Sequence, residues 1–216
     1  MSDDGWVALF CRFTPGWPWP EESYGLDPMY GPDGWCRSCG TPLRPQSGPL
    51  TIQGSKFPSA SVWMPNWRFD VVCLAADVAR EISGRFAVKL REVHKPRSGG
   101  TGVMQLIPSV TDEAWYDPAQ LSVAVTARHE ELNGESTGAH CPGCGRWKWL
   151  PILEGEAPIR AEALATTSAV IASPEVFGDG LQSFRHLLFR QPLAAALVRA
   201  NPRTWSELPV AATTEK

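Results

Sequence analysis

Two copies of a Cys-x-x-Cys-Gly motif constrain this chain more than any other feature of its sequence. The first copy is CRSCG at residues 36–40 and the second is CPGCG at residues 141–145. Two intervening residues let the backbone curl around one ion, and the following glycine permits the positive φ that closes the turn. Four thiolates in a tetrahedron are typical ligands of structural zinc. The sequence therefore predicts one structural Zn²⁺ ion bound by Cys36, Cys39, Cys141 and Cys144.

The two motifs are separated by the segment 41–140, which is long enough to contain folded structure of its own. The entropic cost of closing a loop rises only logarithmically with its length, so this separation does not argue against a shared ion. No low-complexity linker divides the chain. We therefore predict a single domain over 1–216, with zinc knuckles at 36–40 and 141–145 and the 41–140 insertion between them.

Two other chemistries use cysteines in this spacing. Iron in a rubredoxin-like site takes the same tetrahedral set of four sulfurs. The sequence WCRSC at 35–39 also resembles a thioredoxin-type redox motif. That redox chemistry needs its first cysteine at the N-terminus of a helix, where the dipole lowers the thiol pKa. Because Gly40 and Pro42 follow at once, no helix is expected to begin there, and structural zinc is the favoured interpretation.

The two remaining cysteines and the histidine beside the second motif are not needed as ligands. Cys11 and Cys73 lie inside apolar runs, which predicts buried core thiols. His140 directly precedes Cys141 and is able in principle to replace one sulfur. With four cysteines available, we expect His140 to lie outside the ligand set or to face solvent.

Composition and charge narrow the class of protein. Apolar residues make up 43% of the chain and charged residues 20%, as in ordinary globular proteins. The formal net charge of −3 argues against a large nucleic-acid surface, which needs dense Lys and Arg. Residues 1–4 (MSDD) are acidic, and neither a signal peptide nor an apolar run long enough to cross a bilayer follows. We therefore expect a cytoplasmic protein, in a reducing compartment that favours metal binding by cysteines.

Period-two alternation and short apolar runs predict strands over much of the chain. A polar loop at 94–102 is expected to join two arms of a long hairpin, and Pro209 restricts the last strand to a sheet edge. The predicted fold class is α+β, mainly antiparallel strands with a few short helices, stapled by a zinc-ribbon-like four-cysteine site. The predicted strands are 6–13, 70–74, 86–90, 103–107, 121–127, 165–172 and 205–210.

Helices are predicted where apolar residues recur every three or four positions. One covers 75–83 with Gly84 as its C-cap, and another covers 193–200. A third is expected to begin at Ser173, a good N-cap, with Pro174 as its first residue. The Pro-, Gly- and Trp-rich segment 14–35 is expected to be an ordered loop, and 184–189 is ambiguous between strand and helix. The segments 70–90 and 168–188 both have the predicted order strand, helix, strand, which is a weak internal similarity.

Recognisable catalytic motifs are missing from the sequence. There is no phosphate-binding P-loop and no dinucleotide-binding GxGxxG, and GGTG at 99–102 lacks the lysine and the flanking strand and helix. His129-Glu130 begins like a zinc-protease motif, but Asn133 stands where the second histidine belongs. A closed shell of four thiolates also leaves no position for a reactive water. We therefore do not predict an enzyme.

Two CxxCG motifs separated by 41–140 in a chain of 216 residues resemble the double-CXXCG motif family of myxobacterial paralogues. The C-terminal layout is also similar: a strand, a short helix from SPEVF at 173–177, and a closing stretch at 205–210. The resemblance covers most of the chain, but only the two motifs are specific. Some members of that family are described as immunity proteins that neutralise a cognate secreted toxin. The resemblance therefore implies the four-cysteine site and a protein partner of that kind.

Taken together, these features predict a cytoplasmic, zinc-stabilised protein-binding protein, with immunity against a cognate toxin as the expected role and no membrane association. Such a protein would occlude a surface of its partner, and tryptophan is a common anchor at interfaces. We expect at least half of the candidate anchors to be core residues instead. The candidates are Trp17, Trp19, Trp35, Trp63 and Trp67.

Two alternatives stay open. The first is a zinc-ribbon nucleic-acid-binding or adaptor protein, because Arg146 and Lys148 alternate with Trp147 and Trp149 after the second knuckle. Its competing interpretation is a strand with both tryptophans on an inner face, which the negative net charge favours. The second alternative is an enzyme with an unrecognised site, whose first sign would be a deep polar pocket away from the metal.

Overall fold

The computed structural model describes residues 5–12, 17–54, 57–134, 140–150, 157–178 and 180–213. Within these ranges the chain alternates between short strands and four α-helices. The helices are α1 (Leu26–Tyr30), α2 (Ala76–Arg85), α3 (Pro118–Asn133) and α4 (Gln191–Ala200). The strands are β1 (Trp6–Cys11), β2 (Val62–Trp63), β3 (Val72–Leu74), β4 (Lys89–Lys95), β5 (Gly99–Ile107), β6 (Ser109–Val110), β7 (Ile159–Arg160), β8 (Val170–Ala172), β9 (Leu187–Arg190), β10 (Trp205–Pro209) and β11 (Ala212–Thr213).

Most strand pairs are antiparallel, so the predicted α+β class is confirmed. A five-stranded sheet has the order β10-β1-β9-β8-β6, and a four-stranded sheet has the order β2-β3-β5-β4. The pairs β6–β8 and β7–β11 are the parallel ones among these strands. The sheet order places the N-terminal strand β1 between two C-terminal strands, which ties the two ends of the described chain together.

In the five-stranded sheet, strands β1 and β9 pair over only a short length. Strand β1 pairs with β10 over its full length, from Val7–Pro209 to Cys11–Trp205. Its pairing with β9 stops after Trp6–Arg190 and Val7–Phe189. Pro209 lies on the edge strand β10, as predicted, because a proline has no N–H to donate to a further strand. Strand β1 is therefore paired with β10 along its whole length but separates from β9 after two residue pairs.

The four-stranded sheet contains the predicted hairpin, β4–β5, with a register shift between Glu92 and His94, but the predicted loop at 94–102 is wrong, because the two strands extend into it and leave only 96–98 between them. Helix α2 follows β3 directly and packs through Val78 and Ile82, which are buried. The predicted cap at Gly84 is wrong, because the helix continues through that glycine and ends at Arg85. Packing of the apolar face thus outweighs the cost of roughly 1 kcal/mol of a helical glycine.

The predicted strand at 121–127 is wrong. These residues lie in the middle of α3, the longest described helix. Leu121 and Val125 are buried at helical spacing, whereas Val123 is exposed. The Asp117 side chain accepts hydrogen bonds from the first-turn amides, Pro118 is the first helical residue, and Gly134 caps the C-terminus with φ 74°. These signals at the two ends favour a helix more strongly than the short alternating run favours a strand.

The predicted helix at Ser173 is also wrong. Ser173 Oγ donates to Glu175 O at 2.9 Å and accepts from His186 N at 3.0 Å, so this serine closes a turn instead of capping a helix. The similarity between 70–90 and 168–188 is therefore not confirmed: an α-helix joins the strands of the first segment, whereas the described residues of the second contain only a 3-10 turn, at Gly180–Gln182. The ambiguous segment 184–189 ends in strand β9.

Two large apolar clusters lie on opposite faces of the five-stranded sheet. The first joins the two sheets to helices α2 and α4, and includes Trp63 and Phe189. The second lies against α3 and includes Trp115 and Phe177. The segment 14–35, predicted as a loop, instead contains helix α1; its residues 14–16 lie outside the described ranges, and Trp17 and Met29 belong to the first cluster. Within the described ranges, no helix has both the length and the apolar composition needed to cross a bilayer.

Candidate metal centre

The first knuckle is a tight turn that presents two thiols on one side. Gly40 N donates to Cys36 O at 2.7 Å, and Cys36 N donates to Thr41 O at 2.9 Å. Gly40 has a φ of 70°, as predicted from its position after the second cysteine. No helix begins at Cys36, because an isolated bridge pairs Trp35 with Pro42 on either side of the turn. The helix terminus that thioredoxin-type chemistry requires is therefore missing here.

The second knuckle repeats this geometry. Gly145 N donates to Cys141 O at 2.8 Å, and Cys141 N donates to Arg146 O at 2.9 Å. Gly145 has a φ of 68°. An isolated bridge between His140 and Trp147 holds the ends of the turn together. Two motifs of the same sequence pattern thus produce one backbone turn twice.

The two turns bring their sulfur atoms into one cluster. Cys36 Sγ lies 3.8 Å from Cys141 Sγ, and Cys39 Sγ lies 3.8 Å from Cys144 Sγ. All four sulfurs lie within 4.8 Å of one another. A tetrahedron with metal–sulfur bonds of about 2.3 Å has edges of about 3.8 Å. The four cysteines are therefore placed to hold one metal ion between the two knuckles.

The knuckles approach so closely that one of them has no room for a side chain. A Cβ atom on Gly143 would lie 2.7 Å from Ser38 Oγ and 3.3 Å from Cys36 Sγ. The same glycine donates its N–H to Cys141 Sγ at 3.4 Å. Gly143 therefore allows the first knuckle to pack closely against the second, and its N–H donates a hydrogen bond to a cluster sulfur. A larger residue would disturb this packing.

The cluster sets the protonation of its thiols. Burial alone would raise the pKa of Cys141, but hydrogen bonds from the Gly143 and Cys144 amides and from neighbouring thiols lower that pKa to about 7. Burial raises the pKa of Cys39 to about 12, against hydrogen bonds from Thr41, and burial also raises the pKa of Cys144. One sulfur thus ionises readily, and a cation that binds the cluster must displace the remaining protons.

Side chains that follow the second knuckle bind carbonyl groups of the first. Lys148 Nζ donates to Cys39 O at 2.9 Å, and Arg146 Nη1 donates to Pro42 O at 3.2 Å. Ser183, which is fully buried, donates its hydroxyl to the same Cys39 oxygen at 2.5 Å and accepts from Lys148 Nζ at 2.8 Å. The two halves of the site are therefore joined by hydrogen bonds as well as by the sulfur cluster.

The first knuckle is also fixed to helix α1 through Asp27. This carboxylate accepts from Arg37 Nη2 at 2.7 Å, from Trp35 Nε1 at 3.0 Å and from Ser23 Oγ at 3.0 Å. The Arg37 guanidinium lies 4.0 Å over the ring of Trp35. Residues on both sides of Cys36 are thus held by one acidic side chain.

The supporting residues were missed from the sequence alone. Thr41 Oγ1 lies 3.2 Å from Cys39 Sγ and is fully buried, but a threonine two residues after a cysteine has no distinctive signal. Ser183 and Asp27 are equally ordinary in the sequence, and they reach the site only through the tertiary fold. Lys148 carried a signal, the basic and aromatic alternation after the second knuckle, but with a different predicted role.

The other candidate residues divide between core and surface. Cys73 is completely buried, as predicted, and burial raises its thiol pKa well above the ordinary range. Cys11 is only half-buried, so its prediction as a core thiol is confirmed in part. His140 is exposed and outside the sulfur cluster, as expected, with Nδ1 2.7 Å from Gly145 O and its ring 4.0 Å from that of Trp147.

The candidate anchor tryptophans separate into two groups. Trp17, Trp35 and Trp63 are buried, so the expectation that at least half belong to the core is confirmed. Trp19 and Trp67 remain 44% and 43% exposed. They lie with Phe10 and Phe69, also exposed, around the mouth of one cavity, and we call these four residues the aromatic patch.

The tryptophans after the second knuckle fit neither sequence interpretation fully. Trp149 is buried, Trp147 is 45% exposed, and their rings stack with centroids 4.9 Å apart. Within the described residues they take part in isolated bridges instead of a continuous strand.

The chain matches no protein-family model, no curated protein and no solved structure to which it was compared. The sulfur cluster therefore stands on its geometry alone.

Proposed function

We propose that the four cysteines hold one structural Zn²⁺ ion and that this zinc-stabilised chain is a protein-binding protein of immunity type. The sulfur cluster carries the first half of the proposal. Two sulfur pairs lie 3.8 Å apart and all four sulfurs lie within 4.8 Å of one another, which matches the preference of zinc for a tetrahedron of thiolates. With every position taken by sulfur, the ion has no site for water and acts as a cross-link between the two knuckles.

The aromatic patch supports a protein partner. Trp19 and Trp67 are large side chains that a chain with no partner would gain by burying. Each has the amphipathic character of residues that dominate the binding free energy at interfaces. The resemblance to the double-CXXCG motif family adds the kind of partner, a cognate toxin that the chain would neutralise by covering its surface in the cytoplasm.

Two contacts weigh against the nucleic-acid alternative. Arg146 and Lys148 are the cations that would neutralise phosphates beside the second knuckle, but both donate to carbonyl groups of the first knuckle. A lysine committed to Cys39 O and Ser183 Oγ is a poor phosphate contact. Of the two cations beside Trp147, only Arg146 is an exposed residue, which is fewer charges than stacking sites on single strands combine with aromatics.

An enzyme is the weakest of the three interpretations. The large cavity beside the aromatic patch is lined mainly by apolar side chains, whereas catalytic sites need convergent polar groups. The sulfur cluster offers no open coordination position for a substrate. Binding, with zinc as a cross-link, accounts for both features.

Metal analysis tests the zinc half of the proposal. Purified chain is expected to contain one zinc per molecule by elemental mass spectrometry, and Cys141→Ser is expected to lose most of it. Cys73→Ser, which changes a buried cysteine outside the cluster, is the matched control and should keep its metal. Iron in place of zinc, or a chain that carries neither ion, would refute this half.

Co-expression tests the immunity half. The gene is co-expressed with any toxin-like open reading frame found beside it, and growth is expected to be restored. The double variant Trp19→Ala/Trp67→Ala should lose protection and weaken binding to the purified toxin at least thirtyfold, the size of about 2 kcal/mol for interface anchors. Trp147→Ala, equally exposed but outside the patch, should protect as well as the unchanged chain. Full protection by the double variant contradicts docking through the patch, and continued toxicity with the unchanged chain contradicts the immunity role.

A further inference from the structure

A cavity of about 790 Å³ opens where strands β1 and β9 separate. Their pairing ends at Val7–Phe189, although β1 continues along β10 to Cys11 and β9 continues along β8 to Leu187. Residues 8–11 of one strand and 185–189 of the other all line the cavity. Its volume lies within the range of roughly 300–1,000 Å³ for small-molecule sites.

Backbone groups face this gap from both strands. In an antiparallel ladder, successive residues point their N–H and C=O groups to opposite neighbours. Arg12 N donates to Thr204 O, so the backbone groups of Leu9 point away from β10 and toward β9. Ser173 N donates to His186 O, so those of Leu187 point away from β8 and toward β1. The separated strands therefore present donors and acceptors to whatever lies between them.

The side-chain walls are aromatic and come from both apolar clusters. Trp17 and Trp205, with ring centroids 6.4 Å apart, belong to the first cluster. Trp115 and Tyr116 belong to the second cluster. All four line the cavity, so it passes between the two clusters instead of indenting one face. Flat aromatic walls of this kind favour stacking with a planar ligand.

The mouth of the cavity is the aromatic patch. Trp67 has a φ of 61°, a left-handed backbone conformation that costs a bulky residue of order 1 kcal/mol or more. This strained residue holds its ring edge-on to Phe69, with centroids 6.1 Å apart, and Phe69 lies edge-on to Phe184 at 5.4 Å. A strained backbone at the entrance of a cavity is a typical mark of a binding site.

The polar side chains that line the cavity are neutral or have charged partners. Tyr116 Oη lies 2.7 Å from His186 Nδ1, and burial lowers the pKa of this histidine to about 4, so the imidazole is neutral at pH 7. Arg185 is the charged residue among the described lining residues, and its Nη1 donates to the carbonyls of Ser173 and Pro174. The Arg185 charge also lies near the carboxylates of Asp70 and Glu175, which already balance it, so the cavity favours a neutral hydrogen-bonding ligand over an anionic one.

We propose that this cavity binds a neutral, planar, mainly apolar small molecule with one hydrogen-bonding edge, such as a substituted fused-ring aromatic compound. The aromatic walls take the ring faces, and the backbone groups of Leu9 and Leu187 take the polar edge. This inference goes beyond the proposed function and does not depend on it, because the walls are interior side chains and the partner is expected to dock on the rim.

A matched pair of fluorescent probes tests the proposal on the full-length, metal-loaded chain. N-phenyl-1-naphthylamine is neutral, contains a planar fused-ring naphthalene and carries one N–H group. It is expected to bind at a single saturable site with a Kd on the order of 10 µM, and to quench tryptophan fluorescence. The analogue 8-anilino-1-naphthalenesulfonate adds one negative charge and is expected to bind at least fivefold more weakly. Equal or tighter binding of the sulfonate would overturn the neutral ligand class.

Cavity-filling variants locate the bound probe. Leu187→Trp is expected to weaken binding of N-phenyl-1-naphthylamine at least tenfold, and Leu9→Phe provides a smaller change at the opposite wall if the first variant does not fold. Trp147→Ala, which lies outside the cavity lining, should bind within twofold of the unchanged chain. No saturable binding up to 100 µM probe, or binding unchanged in every folded wall variant, would refute the site. Loss of probe binding by Leu187→Trp with intact toxin binding separates this cavity from the proposed partner surface.

Discussion

The two knuckles have the same backbone turn but different surroundings. In each, the glycine after the second cysteine donates to the carbonyl of the first, at 2.7 Å for Gly40 and 2.8 Å for Gly145. In the first knuckle Cys36, Cys39 and Gly40 are buried, and Asp27 binds the residues on both sides of Cys36. In the second knuckle Cys141 is buried and Cys144 is half-buried, whereas Gly143, Gly145 and the preceding His140 are exposed.

This difference indicates that the two knuckles depend on the metal ion to different degrees. The first knuckle has its own supports in helix α1, so it needs the ion least. The second contacts the first through the sulfur cluster and the hydrogen bonds of Arg146 and Lys148, and its other anchors, Trp149 on Val176 and Lys148 on Ser183, lie beyond its last glycine. A common motif therefore fixes a turn, while neighbouring elements decide how strongly the turn depends on metal.

Metal removal should give the largest effect and the sharpest contrast. Stripping the ion with a chelator is expected to lower the free energy of unfolding by several kcal/mol, which for a chain of this size corresponds to a fall in Tm of about 10 °C or more. Hydrogen exchange should show the Gly145 amide losing protection before the Gly40 amide. Equal loss at both amides would show that the two knuckles depend on the ion alike.

Crowding between the knuckles should come next. Gly143→Ala places a methyl group against Ser38 Oγ, and the overpacking is expected to cost about 1–3 kcal/mol in chemical denaturation. Adding Ser38→Ala removes the closest contact and should recover part of that loss. If the double variant is no more stable than Gly143→Ala alone, the close approach of the knuckles is not what limits this position.

The lysine that joins the halves should matter more than the arginine. Lys148→Met removes two hydrogen bonds from a half-buried ammonium while keeping the apolar stem, and about 1–2 kcal/mol of stability should be lost. Arg146→Met is the matched control, because its guanidinium is exposed and makes one such contact. Its expected cost is below about 0.5 kcal/mol. Equal losses in thermal unfolding would contradict a special role for Lys148.

A methyl group on Gly145 tests the backbone turn by itself. At a φ of 68°, alanine is expected to cost about 1 kcal/mol, and no atom lies within 4 Å of the added carbon to add a clash. Zinc content should stay at one ion per chain, because the sulfur positions are unchanged. Loss of metal from this variant would mean that the positive φ is needed for ligand placement and not only for stability.

The anchor of the first knuckle should have the smallest effect. Slight burial acts to raise the pKa of Asp27, but hydrogen bonds from Arg37, Trp35 and Ser23 lower it overall. A lowered pKa means that the stabilisation is present above the unfolded value near pH 4 and is lost as pH falls through the folded value. Asp27→Asn is expected to cost less than about 1 kcal/mol at pH 7, as exposed ion pairs do, and to flatten this acid dependence. An unchanged pH profile of unfolding would contradict the role.

Local sequence signals predicted the turns and several elements of the fold. The hairpin β4–β5, the helix after β3 and the edge position of Pro209 follow from short-range patterns and from the chemistry of single residues. The alternation at 121–127 favours a strand only locally, whereas Asp117-Pro118 and Gly134 are helix-end signals that specify α3. Ser173 had the right cap chemistry, but its hydroxyl closes a turn with Glu175 and His186 instead.

What the sequence determined by itself is the pair of knuckles, because two intervening residues and a glycine fix a turn whose hydrogen bonds all lie within six residues. Only the tertiary structure decided what surrounds them. The burial of Trp35 beside the exposure of Trp67, the reach of Lys148 and Ser183 to Cys39, and the gap between β1 and β9 all depend on contacts between distant segments. Such contacts are set by the packing of whole sheets and helices, which a local pattern of residues does not encode.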